Sequence, residues 1–420
     1  MPKIDVSLRL VTPAFVGGAL RGRSVPPEGI RPPEIKALLR YWWRATQHGP
    51  VSEMAAREAE IFGSRDGSIG RRLRVVPTES LGPRKTEFSS AGTVYPPGFY
   101  TYRAYGPVSW IRERQQAEST VPEVAPGHFR RFSIYCRDSD FDQVLKALWL
   151  LSAFGGVGSR SRRGWGSLAV TGVDEGWRRC FGSGKDEMNP HTAADTGELC
   201  KRLNRGLAAS VSDAVTGSPT GHTAFGPSSI VLVGPSQPDW KKAMEVLHAK
   251  LNGYRRRLGA VRNHAPQEVG SDFDLRARWS ARPGRPSALA DGSPSPLGAG
   301  FGLPVNGTHG SVGVGSSLNG RRASPVFFNV AKVQNGYAPV VLWLPSPFLP
   351  ADVQVFARVT DDDPGVRVTQ PTAVQGVNTF IHGGTIRRGD GASFAGPSSK
   401  TEQWLGLRNE ANWAVAWKAQ

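Results

Sequence analysis

The chain opens on strict alternation. Along Lys3 to Val11, Ile4, Val6, Leu8 and Leu10 fall on one side and Lys3, Asp5, Ser7 and Arg9 on the other. A period of two predicts a half-buried strand. A Pro/Gly-rich stretch at 12–30 follows as a loop. Pro32-Pro33 then predicts a helix start, where the missing N–H costs little. From Glu34 to Gln47, Ile35, Leu38, Leu39 and Trp42 form one helical stripe with Trp42 as core, and Lys36, Arg40 and Arg44 at i, i+4 and i+8 form a second, cationic one. Val51 to Ile61 predicts a further helix ending at Phe62-Gly63-Ser64, and Leu73, Val75 and Val76 a strand. Residues 77–128, rich in Pro, Gly and Tyr, form a long insertion. His128 to Cys136 alternates again, with Phe129, Arg131, Ser133 and Tyr135 against Arg130, Phe132, Ile134 and Cys136. Phe141 to Phe154 is an apolar helix, and a glycine-rich loop leads to a last strand, Trp165 to Val173.

Strand, helix, strand, strand, helix, strand is the order of the ferredoxin-like (RRM-like) α+β fold, whose antiparallel sheet has two helices on one face and an open face on the other. An open face carrying aromatic and Arg side chains suits single-stranded RNA. The predicted organisation is a first domain at 1–173, an irregular linker at 174–226 and a second domain at 227–420. In the second half, Ser229 to Val233, Ala323 to Val333, Ala338 to Leu344 and Val353 to Val359 read as strands. Trp240 to Leu258 reads as a basic helix and Thr401 to Lys418 as a closing helix. Residues 282–320, dominated by Gly, Ser and Pro, predict an insertion without a packed core.

Charge narrows the function. The 420 residues carry 52 Lys+Arg against 35 Asp+Glu, a formal +17, and 40 of the cations are Arg. Guanidinium favours forked contacts with phosphate. Hydrophobic residues make up 39% and mean hydropathy is −0.33, which excludes both a disordered and a membrane-embedded chain. The N-terminus lacks the apolar core of a signal peptide. Three distant cysteines and eight scattered histidines predict no disulfide framework, no metal site and no cofactor, and a cytoplasmic protein.

The densest motif is Gly155 to Gly166. Gly156 and Gly158, then Gly164 and Gly166, bracket Arg160, Arg162 and Arg163. The loop follows a helix and opens a strand, the reverse of a dinucleotide-binding turn. Glycine lets backbone N–H groups approach a phosphate chain, and arginines add charge-assisted contacts. A flexible loop with solvated arginines is the plainer reading. Arg40 and Arg44 are open between an RNA groove, a structural pair with Glu58 and a solvated face. Phe132, Tyr135 and Arg131 are candidates for stacking bases; neighbours alternate faces, so only one set can face RNA, and which one is left open. Arg321 and Arg322 follow the second glycine-rich stretch as Arg162 and Arg163 follow the first, a candidate second contact. Asp361-Asp362-Asp363, next to Pro364-Gly365, reads as a solvated turn.

Thr12-Pro13-Ala14-Phe15-Val16-Gly17-Gly18, the run from Ile30 to Arg44, Glu58 with Ile61-Phe62-Gly63-Ser64, and the glycine loop together resemble the RAMP superfamily of CRISPR systems. Within it they resemble the large tandem-domain subunit of the type III-B, Cmr-type effector complex. The resemblance is specific over 1–172 and weaker over 301–345. It implies two tandem ferredoxin-like RAMP domains, CRISPR guide RNA and target single-stranded RNA as partners, and other RAMP subunits alongside. It also implies an RNA-binding rather than catalytic role near the guide's 3′ end in antiviral defence. The alternative on the same fold is a metal-independent guide-processing endoribonuclease, for which His48 is the best-placed general base.

Overall fold

The computed structural model describes residues 2–16, 29–64, 72–78, 107–111, 113–182, 185–211, 222–259, 323–344, 354–358, 366–369, 371–389 and 399–419, with short pieces at 69, 88–89, 92–95, 293–294, 301, 305–307 and 310–314. The first sheet is built from β1 (Lys3–Leu10), β2 (Arg74–Pro77), β3 (Phe129–Tyr135) and β4 (Leu168–Thr171). Its order is β2-β3-β1-β4, every pair antiparallel. Helices α1 (Pro32–Arg44), α2 (Val51–Phe62) and α3 (Phe141–Phe154) complete a ferredoxin-like domain of α+β class.

Alternation decides what each strand buries. Ile4, Val6, Leu8 and Leu10 of β1 and Phe132 and Ile134 of β3 share a core with Ile35, Leu39, Trp42 and Trp43 of α1 and Leu145, Leu148 and Leu151 of α3. Within β3, Phe132 is buried against the helices, which removes it from the base-stacking candidates, and Phe129, Arg131 and Tyr135 point away from them. Arg130 faces inward, so it needs partners. It donates to the Ile30 carbonyl at 2.8 Å and stacks on Phe132.

The described residues of 174–226, expected as an irregular linker, are largely helical. They hold α4 (Asp174–Phe181) and α5 (Thr196–Val211). The physical reason lies in α3, which is buried nearly all round and needs cover on its second side. Leu199, Leu203 and Leu207 of α5 supply it, and Gly206 lets α5 approach the Trp149 ring, which would lie 2.0 Å from a Cβ there.

The second half repeats the chain order. Its sheet contains β5 (Ile230–Val233), β6 (Val326–Val333), β7 (Gly336–Trp343) and β8 (Ala414–Lys418), ordered β6-β7-β5-β8. Helix α6 (Trp240–Gly259) follows β5 and α7 (Pro371–His382) precedes β8. The expected closing helix over 401–418 is instead a strand at Ser399–Trp404, a turn of 3-10 helix at Leu407–Asn409 and β8. Gly406, at φ +80° with Gly383 N only 2.1 Å from where its Cβ would sit, breaks any helix at that point. Inside 282–320, where no core was expected, Val305–Gly307 pairs with Gly310–Val314 and Phe301 is buried.

The chain divides into two compact units. The first comprises Met1–His248, Phe327–Pro345 and Ala414–Gln420 and contains both ferredoxin-like sheets; the second comprises Ala249–Val326 and Ser346–Trp413. In the second unit the rings of Tyr254, Phe301 and Phe380 pack together. No helix among the described residues is long and apolar enough to cross a membrane.

Candidate nucleic-acid interface

The glycine loop is tied down on three sides. Helix α3 ends where Gly155 N donates to Leu151 O at 2.9 Å. Ser159 N donates to Phe15 O and Gly166 N to Pro13 O, while Val157 N reaches back to Gly166 O. The buried Thr12 hydroxyl donates to Gly164 O at 2.7 Å and accepts from Ser167 N at 2.9 Å. On the other side, Asn329 of β6 donates to Gly155 O at 2.7 Å, and Phe328 N donates to Arg162 O. The loop therefore joins the Thr12–Phe15 segment to the second sheet.

This changes the role expected of the glycines. Gly158, Gly164 and Gly166 have φ of +77°, +86° and +64°. A Cβ would meet Phe15 O at 2.4 Å from Gly158, Val157 O at 2.1 Å from Gly166 and Gly166 O at 2.9 Å from Gly156. The close approach that glycine permits is made by the protein's own backbone. The N–H groups of Val157, Ser159, Arg163, Gly164, Gly166 and Ser167 all donate within the protein, so they are not aimed at a phosphate.

The three loop arginines separate. Arg163 is 6% exposed, with its guanidinium over the Phe328 ring and its carbonyl accepting from His248 Nε2 at 3.0 Å. Arg162 is half-buried, held between the rings of Tyr41 at 4.9 Å and Phe327 at 4.6 Å. Arg160, at φ +63°, stands beside the exposed Ser159 at the tip. Arg160 and Arg162 are the two that reach solvent.

The cationic stripe of α1 is spent largely on the fold. Lys36 Nζ donates to Leu73 O at 3.1 Å. Arg40 donates to Gly63 O at 3.0 Å, stacks on Phe62 and lies 3.0 Å from Glu58 Oε1. Arg44 grips both oxygens of Glu58, which hold its proton more tightly than usual. Of the readings left open, the structural pair is the one observed: Glu58, 8% exposed, fastens α1 to α2 through two guanidinium groups. Lys36 and Arg40 also line a cleft of about 610 Å³ shared with Pro32, Phe62 and Arg74. Glu58→Ala is expected to destabilise the protein by about 1–2 kcal/mol, since water reaches the half-exposed arginines and softens the loss. Urea melts of Glu58→Ala and Glu58→Gln check this, the amide retaining part of the bonding.

On the outer face of the first sheet, Arg9 and Arg131 are exposed, and both guanidinium carbons lie over the Phe129 ring, at 5.7 and 5.6 Å. Register sets Arg9 opposite Phe129 and Lys3 opposite Tyr135, with Arg74 on the other flank of Tyr135. Lys3 and Asp5 pair at 2.8 Å, and the Ser133 hydroxyl also donates to Asp5.

Residues 7–169 match the model of the RAMP superfamily. No curated protein sequence matches the chain. Solved structures align with most of it at low identity. Cmr1 from Pyrococcus furiosus is 16% identical, with 82% of this chain and 88% of that one covered and a TM-score of 0.48. A chain of the type III-B Cmr-beta complex bound to cognate target RNA is 14% identical over 84% and 95%, at 0.44. The same complex bound to cognate target RNA and AMPPnP gives 14% over 82% and 94%, at 0.45.

The matched residues 7–169 contain every sequence-predicted site residue except Arg321 and Arg322, which, like Asp361-Asp362-Asp363, lie outside the described residues. The sequence does not single out the contact between Arg9 and Phe129. Both are outward positions of alternating strands, and the pairing that brings them together depends on register between residues 120 positions apart. His48, the candidate base, lies beyond the end of α1, where His222 Nε2 donates to Arg44 O at 3.0 Å.

Proposed function

We propose that this chain is an RNA-binding, noncatalytic subunit of a type III-B CRISPR ribonucleoprotein in the cytoplasm. It carries RAMP-type domains at 1–173 and 227–420 and contacts guide RNA and target RNA near the guide's 3′ end, beside other RAMP subunits. The observation that carries this reading is a segment matching the RAMP superfamily whose glycine loop holds the half-buried Arg160 and Arg162 at its edge on a fixed support. Guanidinium groups held this way suit phosphate oxygens, which position a strand without reading its sequence. Base pairing between guide and target then supplies specificity.

The test is RNA affinity of the full chain carrying Arg160→Ala and Arg162→Ala. Arg163 is left alone because it is interior. Affinity is expected to fall equally for unrelated single-stranded sequences, and the slope of log K against log salt to drop by about 0.7 per lost contact. An unchanged slope in a folded variant would remove these arginines from the interface.

A further inference from the structure

We propose that the outer face of the first sheet is a separate single-stranded RNA site, at which unpaired bases stack on the Arg9–Phe129–Arg131 group. This rests on the RNA-binding reading above but uses different residues and a different chemistry: ring stacking in place of phosphate charge. Phe129 is a half-buried aromatic on the sheet face opposite the helices, flanked by two exposed guanidinium groups. The positions around it are small. Ser7 is opposite Arg131, Ala169 opposite Arg9 and Thr171 opposite Ser7, so Phe129 and the two arginines stand above a low floor.

Single-stranded RNA is recognised where splayed bases find aromatic rings or guanidinium planes to stack on. Charge selects the same occupant. Among the described outward positions of β1, β2 and β3, Lys3, Arg9, Arg74 and Arg131 are cationic and Asp5 alone is acidic. Asp5 is taken by Lys3, whose ammonium holds that carboxyl below its ordinary range, so it offers little repulsion to a passing phosphate. Along β3, same-face residues recur every second position, so Phe129, Arg131 and Tyr135 form a row that an extended strand can follow.

The test uses the full chain, a single-stranded RNA, and a strand of equal length with abasic sites. Phe129→Leu keeps the bulk and removes the π-face. The wild type is expected to prefer the base-containing strand, and Phe129→Leu to lose about fivefold or more on that strand, closing the gap with the abasic one. The Arg160→Ala, Arg162→Ala protein is expected to lose affinity for both strands alike, leaving the preference intact. If Phe129→Leu binds both RNAs as the wild type does while the loop variant is weakened, the sheet site is overturned and the RNA-binding reading stands; the face then belongs to an acidic protein surface. If the wild type binds neither RNA, both fall together. Ultraviolet crosslinking of 4-thiouridine RNA to the peptide carrying Phe129, absent in Phe129→Leu, would support the site by a second route.

Discussion

Gly166→Ala is expected to destabilise the first compact unit by more than about 3 kcal/mol and to abolish RNA binding only to the extent that it unfolds the protein. Two costs coincide. At φ +64°, an L side chain is strained by about 1–2 kcal/mol. The new methyl would also lie 2.1 Å from Val157 O, and neither partner is a side chain that can swing aside. Moving Val157 would lengthen its hydrogen bond to Gly166 O; moving Gly166 would strain its bond to Pro13 O. Gly164→Ala makes the contrast. Its φ of +86° is equally strained, but the obstacle is the Met244 thioether at 2.5 Å, the flexible end of a side chain. A loss of about 1–2 kcal/mol is expected there. A double-mutant cycle with Met244→Ala should show coupling for Gly164→Ala and none for Gly166→Ala. Thermal melts decide: equal losses at the two positions would show that the loop is slack enough to absorb either methyl.

That ranking could not be read from the sequence, and the reason is general. The glycine spacing marked the loop as special, and alternation in 3–11 and 128–136 with the stripe of α1 was enough to predict the first sheet and its helices. What approaches each glycine, however, is set by Phe15 and Val157 through tertiary contact. Arg40 and Arg44 show the same limit: their common face was legible, but their use depends on Glu58, a helix away. The stripe Leu199, Leu203, Leu207 in α5 was legible too, at helical spacing, but glycines and polar residues flanking it hid the element. The Arg9–Phe129 pair is the hardest case, since each residue alone is an ordinary outward position on a strand.

Acid should loosen the same junction through His191. This histidine is 8% exposed, in a turn of 3-10 helix at Pro190–Thr192. Its Nε2–H donates to Ser152 O of α3 at 2.9 Å, and its Nδ1 accepts from Lys332 N of β6 at 3.2 Å. Both nitrogens are therefore satisfied only in the neutral ring, which bridges the helix of the first domain to the sheet of the second. Burial pushes the pKa down to about 4, with the Ser152 and Leu168 backbones pulling the other way. The unfolded chain, at the ordinary 6.5, binds the proton more readily than the fold does. The stabilisation is thus whole above about pH 6.5 and is lost as pH falls toward 4, at up to about 1.4 kcal/mol per unit. By pH 5 the loss from this group should reach about 2 kcal/mol. His222, also held below its ordinary value by burial, adds in the same direction. Asp5 and Glu198, whose pKa values are lowered, hold their contribution until pH falls into the ordinary carboxylate range, while Glu34, raised by burial, takes up its proton earlier and works against the loss, so it is the comparison with a variant that isolates His191. Urea melts at pH 7.5 and 5.0 should show a steeper loss for the wild type than for His191→Gln, whose amide can donate and accept but does not titrate. Protonation at Nδ1 removes the acceptor for Lys332 N, so hydrogen exchange at that amide should quicken first. From there the loosening reaches Asn329 and Phe328, the β6 residues that hold Gly155 and Arg162. Parallel pH profiles for wild type and variant, with Lys332 protected throughout, would show that the bridge survives protonation and that the loop is anchored without it.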